Sequence, residues 1–178
     1  MDNRILYAIL NNDQQVRAMN FLGVFPIDLI PISSLTNSDC CLVVNTKPHH
    51  HPGEHWVAVV KSAYGNGIYF DSYGNPPYNL EEVGLILDTC KEWTYNKTRL
   101  QSSYTTVCGQ YCIFFLTHIA RGYSLDQITH LLNEGDSCTN DALIYTYINE
   151  KYPLEEVKKL EVVDFPFIFK QYSTTNNI

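Results

Sequence analysis

Apolar positions recur at helical spacing from the start of the chain: Ile5, Leu6, Ile9 and Leu10, with Val16 and Met19 continuing or restarting the pattern before the turn-prone Phe25-Pro26 pair. One or two amino-terminal helices are expected. The period then changes. Cys40-Cys41-Leu42-Val43-Val44 and Trp56-Val57-Ala58-Val59-Val60 are short continuous apolar runs rich in strand formers, and both read as buried strands. Between them, Lys47 to Glu54 carries two prolines and no periodicity, so it reads as a surface loop. Gly67-Ile68-Tyr69-Phe70-Asp71 reads as a third strand, paired to the second through the loop that holds Gly65 and Asn66 and stopped by Gly74-Asn75-Pro76-Pro77.

Leu80 to Trp93 carries Val83, Leu85, Ile86, Leu87 and Cys90 at spacings that predict a helix despite Gly84, and Thr98 to Ser103 is expected as a short strand. Cys108 to Ala120 is apolar on nearly every face and ends before Gly122, the pattern of a central buried helix. Ser124-Leu125-Asp126-Gln127 has the S-x-x-Q form of a capping box, opening a helix through Leu132, and Asp141 to Glu150 predicts another. Val162 to Phe169 is apolar, and the polar tail beyond it is expected to fray. The fold class that follows is α+β: a single domain over residues 1–178 with a small central mixed sheet, a buried helix and flanking helices.

Composition narrows the function classes. With 178 residues, 45% hydrophobic and 13% aromatic, the chain is long enough for one sizeable core and too apolar for disorder. Its 12 basic against 19 acidic side chains give −7, a poor electrostatic footprint for nucleic acid. The early run Ile5 to Leu10 is too short for a signal peptide or membrane span, so an intracellular, membrane-free monomer is expected. The six cysteines are expected as free thiols, because a domain of this size needs no covalent staples.

Four residues carry candidate chemistry together: His55 opening a strand, Asp71 closing the next, Gln101 ahead of a loop, and Cys108 where the buried helix begins. A thiol attacks carbonyls only as thiolate, and a cysteine in the first turn of a helix gains from free N–H groups and the positive end of the macrodipole, above all beside an imidazolium. Asp71 is placed to orient the imidazole. The N–H of Cys108 and the Gln101 amide are candidate oxyanion donors, and Gly109 permits close approach of a substrate backbone. Trp56, beside His55, is a candidate wall for a narrow substrate groove as well as a core residue.

Strand register constrains this reading. Direct opposition of His55 and Asp71 requires a hairpin centred on Ala63. A tight turn at Gly65-Asn66 would instead pair Asp71 with Val60 and leave His55 about 16 Å away at ~3.3 Å per residue. The site therefore requires a longer connection, of the order of Ser62 to Asn66, or a bulge.

Phe21-Leu22-Gly23, Cys41 to Thr46, Gly53-Glu54-His55-Trp56, Tyr69 to Gly74, and Gln101 followed seven residues later by Cys108-Gly109 together resemble the adenovirus-type maturation protease, over roughly residues 20 to 120. The wider likeness is to the clan of SUMO-specific proteases, with chain order His, acid, Gln, Cys. This sequence departs from the adenovirus enzyme in having Asp71 for its Glu, in a shorter carboxy-terminal region and in being acidic. The resemblance implies a Cys-His-Asp thiol protease acting on viral capsid or core precursors, after small residues such as Gly, in the virion or in the cytoplasm or virus factory of an infected cell. It leaves two alternatives, a ubiquitin- or SUMO-directed isopeptidase and an inactive binding module. It also implies a role for Cys90, 18 residues before Cys108, the offset at which the adenovirus enzyme keeps the cysteine that bonds an activating peptide. Cys90 read from its own surroundings is a buried helix residue. The expectation is no required cofactor, a possible activating peptide, and no need for DNA.

His49-His50-His51 with Cys40 and Cys41 is the remaining metal-like group. Three consecutive side chains cannot all face one ion, neighbouring strand cysteines point to opposite faces, and no C-x-x-C is present, so no metal is expected. Cys112, His118 and His130 read as ordinary helix residues.

Overall fold

The computed structural model describes residues 1–35, 39–63, 65–133 and 136–160. Two helices open the chain, α1 (Asn3–Asn12) and α2 (Gln14–Ala18). Each begins on an aspartate. Asp2 accepts the N–H of Ile5 at 3.0 Å, and Asp13 accepts those of Gln15 and Val16. Five strands follow: β1 (Phe21–Pro26), β2 (Cys40–Asn45), β3 (Trp56–Lys61), β4 (Asn66–Phe70) and β5 (Glu92–Tyr95). They form one mixed sheet in sequence order, with β1–β2 and β4–β5 parallel and the two central pairs antiparallel.

Two strands differ from the sequence expectation. Phe21 to Pro26 is a strand on the sheet edge, where a terminal proline costs no ladder bond. The predicted helix over Leu80 to Trp93 is cut short: α3 (Glu81–Leu87) ends after two turns, and Glu92–Tyr95 forms the opposite edge. The predicted strand over Thr98 to Ser103 does not form. That segment is irregular, and the N–H groups of Leu100 and Gln101 both donate to the carbonyl of Ser72 at 2.9 Å.

The remaining helices are α4 (Cys108–Ile119), α5 (Leu125–Asn133), α6 (Ser137–Lys151) and α7 (Leu154–Val157). The capping box forms as expected: Gln127 N–H donates to Ser124 Oγ at 3.2 Å, and Ser124 N–H to Gln127 Oε1 at 2.9 Å. Gly122 takes a φ of +87°, which ends α4 in the left-handed region where a glycine carries no Cβ penalty.

The sheet separates two apolar clusters. On one face α1, α4, α5 and α6 pack around Leu6, Tyr111, Phe115 and Ile144, with Phe70 stacked on Phe115 at 4.5 Å and 5°. On the other, α3 and two single-turn helices cover Leu42, Val44, Val59 and Tyr69. Because α4 is buried over ten consecutive residues, Cys108 to Thr117, its first turn is fixed by the core rather than by solvent. The apolar run Val162 to Phe169 and the tail lie outside the described residues. No helix among the described residues is long and apolar enough to cross a membrane.

Candidate active site

The register of the β3–β4 hairpin decides whether the predicted residues can meet. Lys61 pairs with Gly67 and Ala58 with Phe70, so the connection is longer than a two-residue turn, as the site requires. Continuing that register sets Asp71 across from Val57, two residues from His55. Side-chain length closes the gap: His55 Nε2 lies 2.6 Å from Asp71 Oδ1. The carboxylate itself is anchored. Tyr73 N–H donates to the same Oδ1 at 2.8 Å, and the buried Asn96 brackets the Asp71 backbone, accepting its N–H at 3.0 Å and donating to its carbonyl at 2.6 Å.

With Nε2 committed to Asp71, the other ring nitrogen is the one left to exchange a proton. His55 Nδ1 is buried with no formed hydrogen bond, and the Cys108 thiol is near enough for the two groups to shift each other's titration. Burial opposes charge on His55, yet the Asp71 hydrogen bond and the nearby charges of Asp71 and Cys108 outweigh it and raise its pKa to about 9. Burial likewise opposes a thiolate at Cys108. The His55 interaction and the backbone N–H groups of Trp56 and Gly109 prevail and lower its pKa. The resulting pair favours thiolate and imidazolium. Cys112, one turn further along, is fully buried and its thiol is pushed far up by desolvation, which makes it an inert core residue.

Gln101 is completely buried, with its amide carbonyl accepting from Ser72 Oγ at 2.6 Å and its Nε2 donating to Thr105 O at 3.0 Å. Nε2 is otherwise only loosely held, donating to Thr105 Oγ1 at 3.4 Å and to the Tyr73 hydroxyl at 3.5 Å. The loop that fixes Gln101 is tied in turn to α6. Asp141 accepts from Ser102 N–H at 3.1 Å and Thr105 Oγ1 at 2.7 Å through one oxygen, and from the Tyr111 hydroxyl at 2.9 Å through the other.

Trp56 is half-buried. It packs against the core at its edge, and it lines an open cleft of about 440 Å³ that runs past Cys108 between Met1, Leu29, Asn45 and Pro48. Its indole N–H donates to the Met1 carbonyl at 3.3 Å. Gly109 is buried beneath this wall. A Cβ there would stand 3.3 to 3.4 Å from Met1, Leu6 and Trp56, so the missing side chain is filled by packing rather than left open to a ligand. Cys90 does not sit on a helix as expected; it follows the end of α3, half-buried near Gly67, on the sheet face opposite α4. All six cysteines are free.

The histidine loop has one partner that sequence spacing concealed. Asp28 accepts His49 N–H at 2.8 Å and holds its Nδ1 at 2.6 Å, and ligand atoms of Asp28, His49 and His50 lie within 4.8 Å of one another. Among the described residues, these are the ones that could together hold a cation. His118 is structural: its Nδ1 meets Phe114 O at 2.7 Å, and burial lowers its pKa.

A cysteine at the start of a buried helix, beside a histidine and an aspartate at the ends of neighbouring sheet strands, is the arrangement that the residues build. The chain is similar in sequence to adenovirus proteases, as its motifs indicate. The protein named Protease from porcine adenovirus A serotype 3 is 27% identical over 133 residues, 62% of this chain and 65% of that protein. The protein of the same name from bovine adenovirus C serotype 10 is 29% identical over 93 residues, 44% and 47% of the two chains. The chain thus spans less than two thirds of the length of either relative. No protein-family model matches it. In fold, it is similar to the central domain of the uncharacterized Lpg1148 protein from Legionella pneumophila, with a TM-score of 0.53 and 15% identity over 85% of this chain and 94% of that one.

Proposed function

We propose that this protein is a thiol endopeptidase that cleaves viral capsid or core precursor polypeptides after small residues such as Gly. The observation that carries the reading is the placement of His55 between Asp71 and Cys108, with a raised imidazole pKa facing a lowered thiol pKa. The sequence likeness to adenovirus proteases supports the same chemistry.

The Cys108 thiolate attacks the scissile carbonyl carbon, forming a C–S bond while the carbonyl oxygen takes the negative charge. The Cys108 N–H and the loosely held hydrogen of Gln101 Nε2 are the donors available to that oxygen. His55 then passes its Nδ1 proton to the leaving amine as the C–N bond breaks, leaving a thioester. Water, deprotonated by the same nitrogen, attacks the thioester and returns the thiolate. Asp71 accepts the hydrogen bond from His55 Nε2–H throughout and stabilises the imidazolium. Trp56 lines the open cleft beside Cys108 through which the residues before the scissile bond would approach.

The test is cleavage by purified protein of capsid and core precursors from the same genome, beside ubiquitin-like fusions, with the new amino termini sequenced. Cuts after small residues in the precursors are expected. Cleavage of the ubiquitin-like fusions alone would overturn the substrate class, and cleavage of nothing would overturn the activity.

A further inference from the structure

We propose that Tyr73 is a positioning residue, which fixes the His55 imidazole between Asp71 and Cys108 by stacking on it from the turn that also carries the acid. The inference rests on reading Cys108 as the nucleophile.

The turn explains the placement. Gly74 N–H donates to the Asp71 carbonyl at 2.7 Å, closing Asp71-Ser72-Tyr73-Gly74. Gly74 has a φ of +71°, and a Cβ there would lie 2.8 Å from the backbone of Thr98, so a side chain is excluded on two counts. Tyr73 is thereby folded back over the strand end. Its ring lies on the His55 ring with centroids 4.6 Å apart and 23° between planes. Its backbone N–H holds the very oxygen that receives His55 Nε2. Its hydroxyl faces Gln101 Nε2, and the Arg99 guanidinium sits 5.0 Å from its ring centroid while donating from Nε to the Gln101 carbonyl at 2.9 Å. One residue therefore touches the acid, the base and the amide.

The consequence is mechanical. An imidazole held by a single hydrogen bond can still swing about that bond, carrying Nδ1 away from the thiol. A stacked ring restricts the swing and shields one face of the imidazole from water, which keeps the attraction between the two charged groups strong. Among the described residues, the charged groups around the pair and Tyr73 include Glu54 on the loop before His55, Arg99 above Tyr73 and Asp141 on α6, besides Asp71 and Cys108 themselves. Variants at Tyr73 leave all of these in place.

The experiment follows alkylation of Cys108 by iodoacetamide against pH, read by mass spectrometry of the peptide that contains it, so that the other cysteines do not interfere. Tyr73→Phe keeps ring and backbone and is expected to match the parent profile. Tyr73→Leu removes the stack, and its inflection is expected to rise by about one pH unit, cutting alkylation about tenfold at pH values below both inflections. Tyr73→Met, non-aromatic and unbranched, supplies the same comparison if the leucine variant does not fold. Parent-like profiles in the non-aromatic variants, or a raised inflection in Tyr73→Phe, overturn the proposal. A parent protein whose Cys108 titrates as an ordinary thiol overturns instead the nucleophile reading beneath it.

Discussion

At the scale of single residues, the site behaves as a charge pair with a window. His55, ordinarily near 6.5, is raised to about 9, so the stabilisation its charged form provides is complete below the ordinary value and is lost as pH rises through about 9. Cys108 is lowered, so the contribution of its thiolate is lost as pH falls through that lowered value. Both groups are charged only between these limits. The pH dependence of kcat/KM is therefore expected to be bell-shaped, with its alkaline limb near 9. An alkaline limb at the ordinary imidazole value would contradict the coupling. Asp71→Asn should keep the geometry and lose the tautomer preference, leaving measurable turnover after a drop of up to about 10⁴-fold. His55, Asp71, Gln101 and Cys108 were legible as one candidate group from residue type, order and spacing. Asn96, Asp141 and Tyr73 were not, because each acts through a contact 18 to 39 residues away in sequence that no local pattern encodes.

Elements were legible where one period ran long enough. Helices α1, α4, α5 and α6 and the three central strands follow their patterns, whereas both edge strands were missed. Gly23 and Pro26 make β1 resemble a loop, and the stretch between α3 and β5, Asp88-Thr89-Cys90-Lys91, holds no Gly or Pro to mark the end of the helical pattern. Asp13 illustrates what joins elements together: it caps α2 and meets Arg121, just past α4, at 2.8 Å. Asp13→Ala is expected to lower stability in urea by about 1–2 kcal/mol, mostly through the lost cap. Phe115→Ala, which empties a site stacked on Phe70, should cost about 3–5 kcal/mol in the same measurement. The loop from Lys47 to Glu54 is read as a solvated cleft wall in which Asp28 fixes His49. Replacing His49, His50 and His51 by Ser should leave turnover and Tm nearly unchanged. Stoichiometric zinc in untagged protein, lost with those three side chains, would refute that reading.

For the whole molecule, the sheet keeps the two candidate control points apart: Cys108 begins the helix on one face, and Cys90 lies on the other. An activating peptide that reaches the site is therefore expected to act through apolar contact rather than through a bond to Cys90, and Cys90→Ser should preserve its effect. The net charge of −7 opposes binding to DNA, so turnover is expected to be insensitive to added DNA at moderate salt. The most direct test of the account as a whole uses the chain's own competing thiols, since Cys138 is exposed and Cys108 is 7% exposed. A peptide ending in a small residue and carrying a thiol-reactive group in place of the scissile bond is mixed with the protein at neutral pH, and the modified residue is mapped by mass spectrometry. The account predicts one adduct, on Cys108, and none when His55 is replaced by Ala. An adduct on exposed Cys138 in preference to Cys108, or one on Cys108 that persists undiminished without His55, would contradict it.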